Sequence, residues 1–172
     1  LADALDGDPF LLLTLRGRTR PQLLAELRAV TPVGYDALNT LRIEHGIPWP
    51  ITEITDEVLP AETNQLARAV NIHKGCYLGQ EVVERMRSRG SVARKLVLLQ
   101  CDGDRLPADG ADVLCDDERS GRITSTCRSP AHHAILSLAF VRTTHAEVGT
   151  RLIVEDDGER IGCAVIAQPA TE

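Results

Sequence analysis

Aromatic residues are scarce in this chain, only 3 % of 172. Leu, Val, Ile and Ala must therefore fill the core, and a binding face of stacked aromatics, as single-stranded nucleic acids favour, is argued against. No apolar run approaches the ~20 residues of a membrane-spanning helix. Residues 1–9 carry three aspartates and no basic stretch, unlike a secretory signal peptide. Positive charge is not in surplus: the net charge of −6 gives no bulk attraction to nucleic acid or anionic lipid. No direct nucleic-acid partner and no membrane are expected. The five cysteines contain no CxxC pair, and no His stands at a zinc-like offset from two of them. A disulfide framework and a metal site are thus disfavoured, and reduced thiols in a cytoplasmic protein are expected.

What is present fits an ordinary folded protein, with 43 % apolar and 26 % charged residues. Residues 10–15 read as a buried strand. An amphipathic helix follows from Pro21, with Leu23, Leu24, Leu27 and Val30 on one face. A second helix is expected over about 35–45, with Tyr35, Leu38, Leu41, the Arg42 stem and His45 on related faces and Gly46 as its terminating glycine. Residues 47–61 hold three prolines and read as an extended loop. A short helix over about 62–71 would turn Leu66, Ala67 and Val70 inward. Beyond Gly90 the pattern is all strand: 95–101, 111–115, 121–127, 134–142, 151–155 and 160–167, with Asp156-Asp157-Gly158 as a hairpin turn. That half reads as a small antiparallel barrel or sandwich. The opening on Leu1 rather than Met reads as a cut through a longer protein. A missing N-terminal segment, a second copy or a co-expressed fragment is expected to cover the first elements, unless an apolar face is left partly exposed.

The least ordinary stretch is 71–90. Gly75 and Gly79 bracket Cys76-Tyr77-Leu78, and a helix pattern begins at about Gln80. Gly79 suits the N-cap, and Glu81 suits the positive end of the helix dipole. Cys76 then lies near a helix N-terminus with Lys74 beside it, a setting that favours thiolate, although a cysteine in such a turn is more often a small filler. Downstream, Arg85, Arg87, Arg89, Arg94 and Lys95 place five cations in eleven residues, which a solvated helix face accounts for. The other cysteines, Cys101, Cys115, Cys127 and Cys163, fall in or beside strands as buried filler. Neighbouring His132 and His133 on a strand would point to opposite faces, so they do not share a metal. His45 and His73 flank the more distinctive segments.

The string Lys74-Gly75-Cys76-Tyr77-Leu78-Gly79-Gln80-Glu81 resembles the KGCYxGQE signature of the YgfZ-type branch of the glycine-cleavage T-protein (aminomethyltransferase) superfamily. Leu41-Arg42-Ile43-Glu44-His45-Gly46-Ile47-Pro48 resembles the superfamily's LRIExGxP segment, Leu59-Pro60-Ala61-Glu62-Thr63-Asn64 its LPxExN segment, and Gly121-Arg122-Ile123-Thr124-Ser125 with Ser129-Pro130 its GxxTS…SP pattern. The resemblance covers roughly residues 10–168. It implies an α+β fold: residues 1–90 as the end of an α/β layered folate-binding domain, then a β-barrel over 91–172. It implies tetrahydrofolate, or a one-carbon derivative, in a channel where Glu44 holds the pterin edge through charge-assisted hydrogen bonds. A solvated carboxylate is the plainer reading of Glu44. Lys74, Gly75, Tyr77, Gly79 and Gln80 would line the same region: Lys74 to attract a folate glutamate tail, Tyr77 to pack, Gln80 to cap the helix. Cys76, the candidate catalytic residue, separates this branch from aminomethyltransferases proper.

The resemblance thus implies a tetrahydrofolate-binding accessory protein for iron–sulfur cluster assembly or repair, with iron–sulfur client or assembly proteins as partners, including enzymes that modify tRNA. The alternatives are a folate-dependent aminomethyltransferase and a scaffold that has lost folate binding.

Overall fold

The computed structural model describes residues 21–22, 31, 33–66, 70–71, 75–89 and 92–168. Its centre is a closed barrel of six strands: β1 (Arg94–Cys101), β2 (Asp112–Cys115), β3 (Glu118–Ser129), β4 (Ala134–Arg142), β5 (Arg151–Asp156) and β6 (Glu159–Ala167). Their order around the barrel is β1-β4-β3-β2-β5-β6, and every pairing is antiparallel. The fold is α+β, and closure into a barrel decides between the two all-β architectures that the strand pattern allows.

The interior is filled by alternate residues, as the period of two in a strand requires. Val97, Leu99 and Cys101 from β1 meet Ile135, Ala139 and Val141 from β4, Leu152 and Val154 from β5, and Cys163 and Val165 from β6. Strands β1 and β4 are buried on both faces, because Leu96, Leu98, Leu136, Leu138 and Phe140 point outward into a second apolar cluster. That is why these two strands read as continuous apolar runs rather than alternating ones. Two hairpins turn tightly. Asp157 and Gly158 (φ 50° and 78°) join β5 to β6, and Asp116 and Asp117 (φ 50° and 65°) join β2 to β3. Two positive φ values are what a two-residue I′ loop needs, and Asp tolerates that region better than most side chains. The second hairpin has no glycine, so β3 begins at Glu118, three residues before the expected start.

Helix α1 (Tyr35–Glu44) lies against the outside of the barrel. Gly46 adopts φ 63°. Gly46 N–H then donates to Ile43 O at 2.9 Å and Ile47 N–H to Arg42 O at 2.7 Å, the paired bonds of a Schellman cap. Of the residues expected on related faces of this helix, only Arg42 is buried. Tyr35 is 63 % and Leu41 38 % exposed, whereas Arg42 and Ile43 are buried. Only the last turn docks, with Ile43 entering the cluster of Leu96, Leu98, Leu136, Leu138 and Phe140. Burying that side chain contributes roughly 1.5–3 kcal/mol.

Residues 47–64 run across the barrel wall as turns. N-terminal to Leu98, β1 no longer pairs with β6. The edge there is satisfied by this segment instead: Leu96 N–H donates to Glu62 O at 2.7 Å, and Asn64 Nδ2 donates to Leu96 O at 3.0 Å. Asn64 sits at φ 58°, so the helix expected from residue 62 does not begin there. Val70 N–H bonds to Leu66 O at 3.0 Å, while 67–69 lie outside the described residues. Helix α2 (Gln80–Arg89) starts where the sequence places it. The expected strand over 10–15 and the helix beyond Gln22 lie outside the described residues, as do His73 and Lys74.

Candidate functional site

Two features hold α1 in a single rotational setting and so aim its final residue, Glu44. The first is the Schellman cap. The second is a buried polar network in which Arg42 is 4 % exposed and Glu53 fully buried. Arg42 Nη1 donates to Glu53 Oε2 at 3.1 Å and Nη2 to Ser125 Oγ at 2.6 Å. Ser125 Oγ in turn donates to Glu53 Oε1 at 2.5 Å, and Trp49 N–H to Glu53 Oε2 at 2.8 Å. Arg42 Nε completes the set on Asn39 Oδ1 at 2.8 Å, with the Trp49 ring centre 5.9 Å from the guanidinium. One buried acid and one buried base thus neutralise each other while tying together α1, the loop after it and barrel strand β3.

Glu44 lies one step beyond this network and is half-buried. Its Oε1 accepts from Ser129 Oγ at 2.5 Å and from Ala131 N–H at 3.4 Å. Ser129 is 1 % exposed and also accepts from His132 N–H at 3.0 Å. These donors offset the disfavour that a helix C-terminus shows toward an acid. An ionised carboxylate has about four acceptor positions, and among the described residues Oε2 takes no hydrogen bond. The group therefore keeps acceptor capacity beyond its protein contacts. Cys127 lies on the same face, and burial, followed by the Glu44 charge, pushes its thiol up to about 11.

Ser125, Cys127 and Ser129 occupy alternate positions on β3, all turned toward α1. The two serines belong to the GxxTS…SP pattern, and here they are the barrel's half of the junction. Sequence reasoning missed this pairing and also missed Glu53. The period-two spacing 125, 127, 129 was the available signal.

The glycine-bracketed loop is a separate structure. Gly75 and Cys76 are exposed, Tyr77 is half-buried, and Leu78 is fully solvent-facing. Gly79 takes φ 87°, and its carbonyl accepts from Val82 and Val83 N–H at 3.1 and 3.2 Å, opening α2. Gln80 Oε1 reaches back to Tyr77 N–H at 3.4 Å, a weak cap. Arg85 pairs with Glu81 at 2.7 Å on the exposed face. Arg94, from the same basic run, is claimed by Glu62 at 3.1 Å and stacks 5.1 Å from the Phe140 ring centre. Among the described residues, no hydrogen bond or ion pair joins Glu44 to the 75–80 loop. No group of His, Cys, Asp and Glu there could hold a metal, and no helix is long and apolar enough to cross a membrane.

The family model for the glycine cleavage T-protein C-terminal barrel domain matches residues 94–171, the whole of the six-stranded barrel. The barrel belongs to the glycine cleavage T-protein superfamily. Its relatives include the aminomethyltransferases of Halalkalibacterium halodurans, Geobacillus sp. and Rippkaea orientalis, at 31 %, 32 % and 33 % identity over 81 % of this chain. The chain spans 38 % of the length of each. The crystal structure of glycine cleavage system aminomethyltransferase T from Bartonella henselae superposes with a TM-score of 0.75, covering 87 % of this chain and 42 % of that one at 22 % identity. These T-protein matches extend beyond the barrel. The similarity to the Halalkalibacterium protein runs over 140 residues, more than the barrel contains, so it takes in part of the helical segments as well.

Proposed function

We propose that this chain is the C-terminal part of a folate-dependent one-carbon transfer protein, which moves a unit from an aminomethyl carrier to tetrahydrofolate. The observation that carries the reading is the set of aminomethyltransferase relatives at 31–33 % identity over four-fifths of the chain. Glu44 supports it: the carboxylate is held by Ser129 and Ala131 through one oxygen and keeps acceptor capacity for a pterin. In this reading residues 1–90 belong to the folate-binding region, and Lys74, Gly75, Tyr77, Gly79 and Gln80 approach the same ligand. Tetrahydrofolate supplies the nitrogen that takes up the one-carbon unit. The chain's own part is to bind and orient the pterin.

A second reading is favoured by one feature, the exposed Cys76 within Lys74-Gly75-Cys76-Tyr77-Leu78-Gly79-Gln80-Glu81. There the protein is a YgfZ-type cytoplasmic accessory factor that binds folate and uses the thiol toward iron–sulfur client or assembly proteins. A solvent-facing thiol is reachable by a partner, as thiol exchange or transient ligation requires.

Calorimetric titration of the full-length protein with reduced tetrahydrofolate tests both. Wild type is expected to bind, Glu44→Ala to lose binding and Cys76→Ala to keep it. Aminomethyl transfer that survives Cys76→Ala supports the first reading. Folate binding without transfer, coupled to loss of iron–sulfur enzyme activity in cells carrying Cys76→Ala, supports the second. Absence of binding well above micromolar tetrahydrofolate overturns both.

A further inference from the structure

We propose that Cys101 and Cys163 form a dithiol oxidisable by peroxide, and that its disulfide locks the seam where the first and last strands close the barrel. The register places the two residues directly opposite each other on β1 and β6. Asp102 N–H donates to Gly162 O at 2.8 Å. That bond marks Asp102 and Gly162 as the hydrogen-bonded pair of the ladder, so Cys101 and Cys163, one step along, are a non-hydrogen-bonded pair. In such pairs the Cα atoms stand about 4.5 Å apart and the side chains approach closely, inside the ~4.4–6.8 Å that a disulfide spans. Both side chains point into the same core, 4 % and 0 % exposed. All five thiols are free in this structure.

The surroundings divide the roles. A hydrogen bond from Cys163 holds the Cys101 thiol below its ordinary range, and the same bond with burial pushes Cys163 up. Ser137 Oγ lies 3.6 Å from Cys101 Sγ. With Ser137 Oγ beside it as a donor to a thiolate, Cys101 is assigned as the sulfur that attacks and Cys163 as the one that resolves. The oxidant must be small to reach a buried pair, and hydrogen peroxide is. The Cys101 thiolate attacks one peroxide oxygen, the O–O bond breaks, and the departing hydroxide takes up the proton Cys101 released. Cys163 sulfur then attacks the Cys101 sulfenic acid, its proton leaving with the hydroxyl as water. Two thiols lose two electrons and two protons, and one peroxide becomes two waters.

The test uses Cys76→Ser, which removes the exposed thiol that would oxidise on its own. The folded chain is treated with hydrogen peroxide, quenched, unfolded and alkylated, and its peptides are mapped by mass spectrometry. The expected result is loss of two of the four remaining thiols, with the Cys101 peptide joined to the Cys163 peptide and released by dithiothreitol. The linked form is expected to melt at a higher temperature, since the bond closes a long loop. In a Cys163→Ser chain Cys101 is expected to stop at a sulfenic acid that dimedone captures. Four alkylatable thiols after treatment overturn the proposal. So does a link to Cys115 or Cys127, or a Cys101–Cys163 link that forms only after the chain is unfolded in urea.

Discussion

Replacing Glu53 by Ala removes the buried acid from the junction network and leaves the Arg42 guanidinium, 4 % exposed, without its ion-pair partner. Breaking a buried ion pair from one side typically costs about 3–5 kcal/mol, because the surviving charge stays desolvated. Arg42 here keeps Asn39 Oδ1, Ile47 O and Ser125 Oγ as acceptors, which places the expected loss near the lower end, ~3 kcal/mol. Glu53→Gln retains an acceptor for Trp49 N–H and loses only the charge, so about half of that loss, ~1.5 kcal/mol, is expected. The double variant Arg42→Met with Glu53→Leu removes both charges and is expected to cost less than Glu53→Ala alone. Urea unfolding measures all three, and the chain carries its own probe: Trp49 is the single tryptophan and donates its backbone N–H to Glu53. Far-UV dichroism reports the barrel in parallel. A Glu53→Ala loss below about 1 kcal/mol, or a double variant as costly as the sum of the singles, would refute the reasoning.

Elsewhere the structure separates costly changes from cheap ones. A Cβ at Gly121 would stand 1.9 Å from Phe140 O in the neighbouring strand, so Gly121→Ala must break β3–β4 pairing and lose ~3 kcal/mol by denaturant unfolding. Glu81→Gln removes an exposed pair within α2 and should shift the midpoint by no more than ~0.5 kcal/mol. The Cys127 thiol titrates at about 11 in the fold against an ordinary 9.0. Its contribution to stability is therefore present below pH 9.0 and lost as pH rises through about 11. Urea midpoints across that window should fall less steeply for Cys127→Ala than for wild type, without becoming flat, because Cys163 is also held protonated.

Barrel strands were legible because their signals are local. Strand β4 matches its apolar run from Ala134 to Arg142, and the Asp157-Gly158 turn carries the expected pair of positive φ values. The Asp116-Asp117 turn escaped because nothing in two aspartates demands a left-handed backbone; the pairing of β2 with β3 imposes it. The docking face of α1 was only partly legible for a related reason. Period groups Tyr35, Leu41 and the Arg42 stem, yet only the last turn meets the barrel, so Arg42 is buried while Tyr35 and Leu41 stay exposed. Glu53, amid a proline-bounded loop, looked like any surface acid. Its burial depends on Arg42 and Ser125, eleven and seventy-two residues away, and no window of sequence holds all three. The Cys101–Cys163 pairing likewise needs the register of the first and last strands, which strand assignment alone does not provide.

The Glu44 site is where these long-range dependences bear on function, and Ser129 is the residue that tests them. The Ser129 hydroxyl donates to Glu44 and accepts from His132 N–H, so it sets the carboxylate's direction from a buried position on the barrel. Ser129→Ala removes one charge-assisted hydrogen bond and leaves His132 N–H without that acceptor, for an expected stability loss of ~1–2 kcal/mol. Barrel dichroism below the transition should be unchanged. If Glu44 holds a pterin, its orientation matters more than its charge alone. Tetrahydrofolate affinity should then fall in Ser129→Ala, but by less than in Glu44→Ala, and Ser129→Thr, which restores a hydroxyl, should recover it. An affinity that is unchanged in Ser129→Ala and lost in Glu44→Ala would mean the carboxylate is aimed by the helix cap and the Arg42–Glu53 network alone. An affinity that rises would mean Ser129 competes with the ligand for Oε1, and the positioning role would be wrong.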